Sequence, residues 1–168
     1  MKWKTRLKSP PSSDVFSFCE RHAESFDISN LREVSVFRGR KNFGVYGFME
    51  CEESSRRQPC HIALYLPGPF PYELTSLRNP IMLKIDPKGI PDDAYVASRN
   101  VCVDKSEVRV SLRSKVYLSN QDDAAVWLFG HEFFHFLTHT NQVDSLDTEN
   151  NADEYGNFLL ERWKLFCD

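Results

Sequence analysis

The sequence predicts an α+β fold. Three observations predict it: a helical pattern near the start, period-two hydrophobic stretches through the middle, and two long helical patterns in the last third. At 168 residues there is room for a single domain. Residues 1–12 carry Lys2, Lys4, Arg6 and Lys8 ahead of Pro10 and Pro11, and are expected to be a flexible basic tail.

Each element has its own signal. Ser13 and Asp14 precede Val15, Phe16, Phe18 and Cys19, which predicts an N-capped amphipathic helix running to about Phe26. Strands are expected over residues 34–37 and 43–51, the second punctuated by Gly44 and Gly47, with residues 38–42 as a hairpin loop between them. Ile62, Leu64 and Leu66 alternate in a third strand over 61–66, which the proline-rich run from Pro67 to Pro71 ends. A fourth is expected over 81–85, and residues 86–100 read as loop. Val108, Val110 and Leu112 alternate with polar residues, and residues 115–118 continue that strand. The cluster from Asn120 to Asp123 opens a helix that runs from Ala124 to about His139. A polar connection spans 140–146, and Asp147 or Thr148 caps a last helix to about Phe166, with Ala152, Tyr155, Leu159 and Trp163 at helical spacing.

Composition narrows the function classes. Hydrophobic residues make up 41% and charged residues 27%, a balance that suits a packed globule and excludes a disordered or collagen-like chain. Apolar runs such as 124–129 are too short to cross a bilayer, so no membrane partner is expected. Net charge is −3 but uneven: residues 1–120 hold 19 basic against 14 acidic side chains, and residues 121–168 hold 2 against 10. An acidic C-terminal part suits a bound cation and makes a poor nucleic-acid surface.

The five cysteines, Cys19, Cys51, Cys60, Cys102 and Cys167, are odd in number and irregularly spaced. With no secretory signal pattern at the N-terminus, reduced thiols in a cytoplasmic protein are expected. A second, structural metal site built from Cys19, His22, Cys60, His61 and Cys51 is the minor alternative to ordinary buried cysteines.

The chemistry concentrates at residues 131–135, His131-Glu132-Phe133-Phe134-His135. On a helix, positions i and i+4 share a face, so the two imidazoles can converge on one metal ion. Glu132, one position past His131, projects beside the ion and can take a proton from a bound water. Three of the five histidines fall within nine residues, among Phe129, Phe133 and Phe136, in a setting where buried polar groups need partners. Downstream, Glu149 and Asp153 are again i and i+4. If that face meets the first helix, Glu149 can supply a third ligand and Asp153 can accept the other ring N–H of His131, fixing its tautomer. Ala152 is small enough to let the helices approach.

On these residues the sequence resembles the zincin metallopeptidases, and within them the gluzincins. That group pairs H-E-x-x-H with a glutamate from a later helix, often as E-x-x-A-D, which Glu149-Asn150-Asn151-Ala152-Asp153 matches. The resemblance covers about residues 122–166, and the short link from His135 to Glu149 is similar to that of compact members such as minigluzincins and ImmA/IrrE-like proteins. It implies a zincin-like domain in which His131, His135 and Glu149 bind Zn2+, Glu132 is the general base and Asp153 supports a ligand histidine. It implies hydrolysis of a peptide or protein substrate.

Rival third ligands are His139, Asp144 and Asp147. His139 lies about 12 Å along a straight helix from His131, too far for one ion unless the helix ends and the chain turns at Leu137. It can instead cap the helix C-terminus as a cation. An oxyanion donor is expected from Tyr155, His139, Tyr117 or Arg113, although core packing suits Tyr155 better. The strand around 108–112 is a candidate edge for an extended peptide. Two other readings are a metal-binding or regulatory module without proteolysis, against which Glu132 speaks, and a SprT-like protease acting at nucleic acid, for which no recognition helix or zinc knuckle is evident. Manganese, cobalt or iron would also suit the nitrogen and oxygen donors.

Overall fold

A computed structural model describes residues 1–39, 46–51, 59–77, 81–83, 94–102 and 105–167. The architecture is mixed α+β: β1 (Lys2–Thr5), α1 (Ser13–Ala23), β2 (Leu31–Arg38), β3 (Tyr46–Cys51), β4 (Cys60–Leu66), β5 (Tyr72–Leu77), β6 (Ile81–Leu83), β7 (Ala94–Cys102), β8 (Lys105–Leu118), α2 (Gln121–His139) and α3 (Glu149–Cys167). The chain divides into two compact units, Met1–Leu74 with Tyr117–Asp168, and Thr75–Val116. None of the described helices is long and apolar enough to cross a membrane.

The first unit holds a four-stranded sheet in the order β1-β2-β4-β3. β1 and β4 run parallel to β2, and β3 runs antiparallel to β4. The expected hairpin between the strands at 34–37 and 43–51 does not form, because β4 lies between β2 and β3. β4 is the most apolar strand, with Cys60, Ile62, Ala63, Leu64 and Leu66 buried, so it takes the centre. Residues 40–45 of the expected loop and strand start lie outside the described residues, as do 84–93.

Residues 1–12 are not a loose tail at their start. Lys2–Thr5 pair with Glu33–Val36, Lys4 forms an ion pair with Glu33, and the Trp3 ring packs against Phe16 at 4.8 Å and Phe129 at 5.5 Å. The physical reason is one large side chain among the basic ones: a strand that buries an indole on one face can keep its lysines in water on the other.

Three helices pack in this unit. α1 buries Val15, Cys19 and Ala23, the i, i+4, i+8 stripe. α2 is the central element, buried from Asp123 to Phe134 and again at Phe136 and Leu137, between the strands β3 and β4 and the helices α1 and α3. α3 buries Ala152, Gly156, Leu159, Leu160 and Trp163 along one side. The crossing of α2 and α3 is tight: a Cβ on Gly130 would lie 3.0 Å from the Gly156 Cα, and one on Gly156 would lie 2.9 Å from the Trp127 carbonyl oxygen.

The second sheet has the order β5-β8-β6, with β7 also on β8. Val108–Val110 pair with β6 and also with β7. The strand expected as a peptide-binding edge is therefore paired on both sides. Residues 94–100, read as loop, belong to β7, whose pairing shifts register between Val96 and Ser98. That shift breaks the period-two pattern by which a strand is recognised.

The expectation of five reduced thiols is also corrected. Cys51 and Cys60 form a disulfide across the β3–β4 pair. Cys19 is a buried free thiol, its pKa raised well above the usual value by burial and then by Glu20. His22 is bonded to Tyr155. The minor alternative, a second metal site built from Cys19, His22, Cys60, His61 and Cys51, does not assemble as that set among the described residues.

Candidate metal centre

α2 begins on a reciprocal cap. Asn120 Oδ1 accepts from the Asp123 backbone N–H at 2.9 Å, and Asp123 Oδ2 accepts from the Ser119 N–H at 3.0 Å. It ends in a tight reversal around Asn141, whose φ of 54° suits asparagine better than most residues. There the Gln142 N–H reaches the Leu137 carbonyl at 2.9 Å and the Asn141 N–H reaches that of Thr138 at 3.0 Å, the pattern of a Schellman turn. The chain turns back after His139, and Thr148 then caps α3, its Oγ1 accepting from the Asn151 N–H at 3.3 Å.

This path brings five expected residues together. His131 and His135 present their Nε2 atoms to each other at 3.3 Å. Glu149 closes the triangle, 3.3 Å from His131 Nε2 and 3.7 Å from His135 Nε2. The three donor groups all lie within 4.8 Å of one another, a set able to hold one metal ion. Asp153 Oδ1 sits 2.9 Å from His131 Nδ1, the pairing expected from the sequence.

Asp147, a rival ligand on sequence grounds, takes a different place: its Oδ1 is 2.6 Å from His135 Nδ1. Each imidazole therefore has a carboxylate on its far nitrogen, which fixes the tautomer that leaves Nε2 bare for a cation. Burial disfavours the charged form of His131, but the Asp153 hydrogen bond and the carboxylates of Glu132, Asp153 and Glu149 outweigh it and raise its pKa.

Glu132 is 3% exposed. Burial pushes its pKa up to about 7, against the pull of the two histidines and of a hydrogen bond from the Met49 backbone. Its carboxylate fits only because residue 47 of β3 is glycine: a Cβ there would stand 2.6 Å from Glu132 Oε1 and 2.9 Å from the Ala63 carbonyl oxygen. Glycine inside a strand is a known mark of such close approach, and Gly47 is the sequence signal that points to the Glu132 carboxylate.

The cluster opens on a cavity of about 480 Å3 lined by Tyr46–Met49, Leu74, Trp127, Leu128 and the acidic and imidazole groups. Asp144, His139, Tyr155 and Tyr117 are not among its lining residues. Asp144 is exposed. His139 is on the unbroken helix, outside the His131–His135–Glu149 group. The Tyr155 hydroxyl bonds to His22 Nε2 at 2.7 Å and its ring packs against Phe134, the core role that its spacing suggested. Tyr117 is 57% exposed, and the Arg113 side chain lies outside the described residues. The tyrosine that does line the cavity is Tyr46, at the start of β3, which nothing in the sequence had marked.

No family model, curated protein or solved structure matches the chain.

Proposed function

We propose that the protein is a zinc-dependent metallopeptidase of the zincin type, with the gluzincin arrangement of donors. One observation carries the reading: two imidazole nitrogens and a carboxylate converge beside a second carboxylate, the buried Glu132, which is not among the donors. Two nitrogens and one oxygen suit zinc, and three protein donors leave a position open, as catalytic zinc sites do. A zinc ion held by His131, His135 and Glu149 would acidify a water and polarise the scissile carbonyl.

The chain's own groups do the rest. Glu132 takes a proton from the attacking water and delivers it to the leaving amine. Asp153 and Asp147 keep His131 and His135 in the donor tautomer. β3 ends the order of its sheet and its residues 46–49 wall the cavity, so an extended peptide laid along it would bring a backbone carbonyl past the donors.

The test is Glu132→Gln. The variant should bind zinc as the parent does while its cleavage of unfolded protein and peptide substrates drops by roughly 10²–10⁴-fold, the usual worth of a general base. Equal cleavage rates at equal zinc content would remove Glu132 from this role. A parent that binds zinc and cleaves nothing across a broad peptide panel would leave a metal-binding module instead.

A further inference from the structure

A second cluster lies at the C-terminal end of α2, one turn beyond His135. Cys51 and Cys60 face each other across the β3–β4 pair, and His139 offers a ring nitrogen within 4.8 Å of both sulfurs. Its Nε2 is buried and has no hydrogen-bond partner among the described residues. A buried imidazole nitrogen without a partner is costly, which calls for a ligand at that point.

The placement follows from the two periodicities. Gly47, Met49 and Cys51 occupy alternate positions of β3 and share one face. Gly47 stands against Glu132, which fixes that face as the one turned to α2. From Gly47 to Cys51 the strand advances about 13 Å, and from Glu132 to His139 the helix advances about 10.5 Å. Helix and strand therefore run alongside each other, and His139 arrives beside Cys51 as Glu132 does beside Gly47.

We propose that Cys51, Cys60 and His139 form a second zinc site, filled when the two cysteines are reduced and closed as a disulfide when they are oxidised. Two thiolates and one imidazole are a soft donor set that suits Zn2+, with a fourth position left to water or another donor. The interconversion balances with a dithiol reductant. The reductant gives two electrons and two protons to the disulfide, is itself oxidised to a disulfide, and leaves two thiols on the protein. Zinc then displaces both thiol protons. In a reducing compartment the ion fastens β3 to the end of α2, and in an oxidising one the disulfide joins β3 to β4 and His139 is released. This site shares no residue with the cluster at His131, so it stands whether or not that cluster is catalytic.

The experiment counts metal on the full-length protein in its two redox states. Cobalt is titrated into fully reduced and fully oxidised protein under anaerobic conditions, then displaced by zinc. The reduced protein should bind one equivalent more than the oxidised protein, with a sulfur-to-cobalt charge-transfer absorption that the oxidised protein lacks. His139→Ala should weaken the extra equivalent by roughly 100-fold or more, beyond the 10–100-fold typical of outer partners of a metal site, and leave the redox-independent equivalent in place. The same titration on His131→Ala/His135→Ala protein should retain only the redox-dependent equivalent. Equal stoichiometry in both redox states overturns the proposal, as does an extra equivalent that carries no sulfur absorption or ignores the loss of His139.

Discussion

The two donor clusters share one helix and differ in nearly everything else. His131 and His135 meet a carboxylate from α3, while His139, one turn further on, meets two sulfurs from β3 and β4. The first cluster is cross-braced, since Asp153 and Asp147 each hold a ring from behind. On His139 it is Nε2 that is buried and without a hydrogen-bond partner among the described residues. One set is of nitrogen and oxygen, indifferent to redox state, and the other becomes a donor set only after reduction. The difference teaches that a helix supplies imidazoles at regular intervals and its neighbours decide what each can bind.

The largest effect should come from removing the donor that α3 contributes. Glu149→Ala leaves two imidazoles and should lower zinc affinity by roughly 100-fold or more, in oxidised and reduced protein alike, as read by competition with a chelating dye. An effect confined to the reduced protein would erase the contrast between the clusters. Next are the braces. Asp153→Asn and Asp147→Asn should each cost about 10–100-fold in zinc affinity. Asp153 should fall at the upper end, because its side chain is 17% exposed against 53% for Asp147, and water replaces a buried partner less readily.

How much of this was legible beforehand depends on the distance over which each signal acts. The helices α2 and α3, and the shared faces of His131 with His135 and of Glu149 with Asp153, follow from spacings of four residues within a helix, whereas the meeting of those two faces is a condition that no local spacing supplies. The role of Asp147 was not legible either, because it depends on how the 140–148 connection folds back after Asn141, and a loop path has no period. β1 has little strand signal in the sequence because one tryptophan among lysines is a weak pattern, though a sufficient anchor. The Cys51–Cys60 bond depends on strand pairing, which no local spacing announces, and the same holds for β3 being separated from β2 by β4.

Smaller effects sharpen the picture of β3 as the wall common to both clusters. Gly47→Ala places a methyl against Glu132 and the Ala63 carbonyl. It should cost about 1–3 kcal/mol of stability, measured by urea unfolding, and should disturb Glu132 more than the sulfurs of Cys51 and Cys60. The smallest expected effect is a baseline outside both clusters. Burial, and then Arg162, lower the pKa of His22 from the ordinary value of 6.5. As pH falls below 6.5 the unfolded chain takes up a proton at this position before the folded one does, so stability declines until the folded pKa is passed and then levels off. His22→Phe should flatten that part of a stability–pH profile, and an unchanged profile would show that the decline comes from other groups.

The glycine crossing of α2 and α3 has a mechanical consequence. Gly130 and Gly156 bring the two helices into tight backbone contact, which makes this crossing a natural pivot for a tilt between them. Asp153 lies three residues from Gly156, about 4.5 Å along the axis, and Glu149 lies seven residues away, about 10.5 Å. A small rocking of α3 would swing Glu149 more than twice as far as Asp153, so the third arm of the clamp would open and shut over a wider path than the brace on His131.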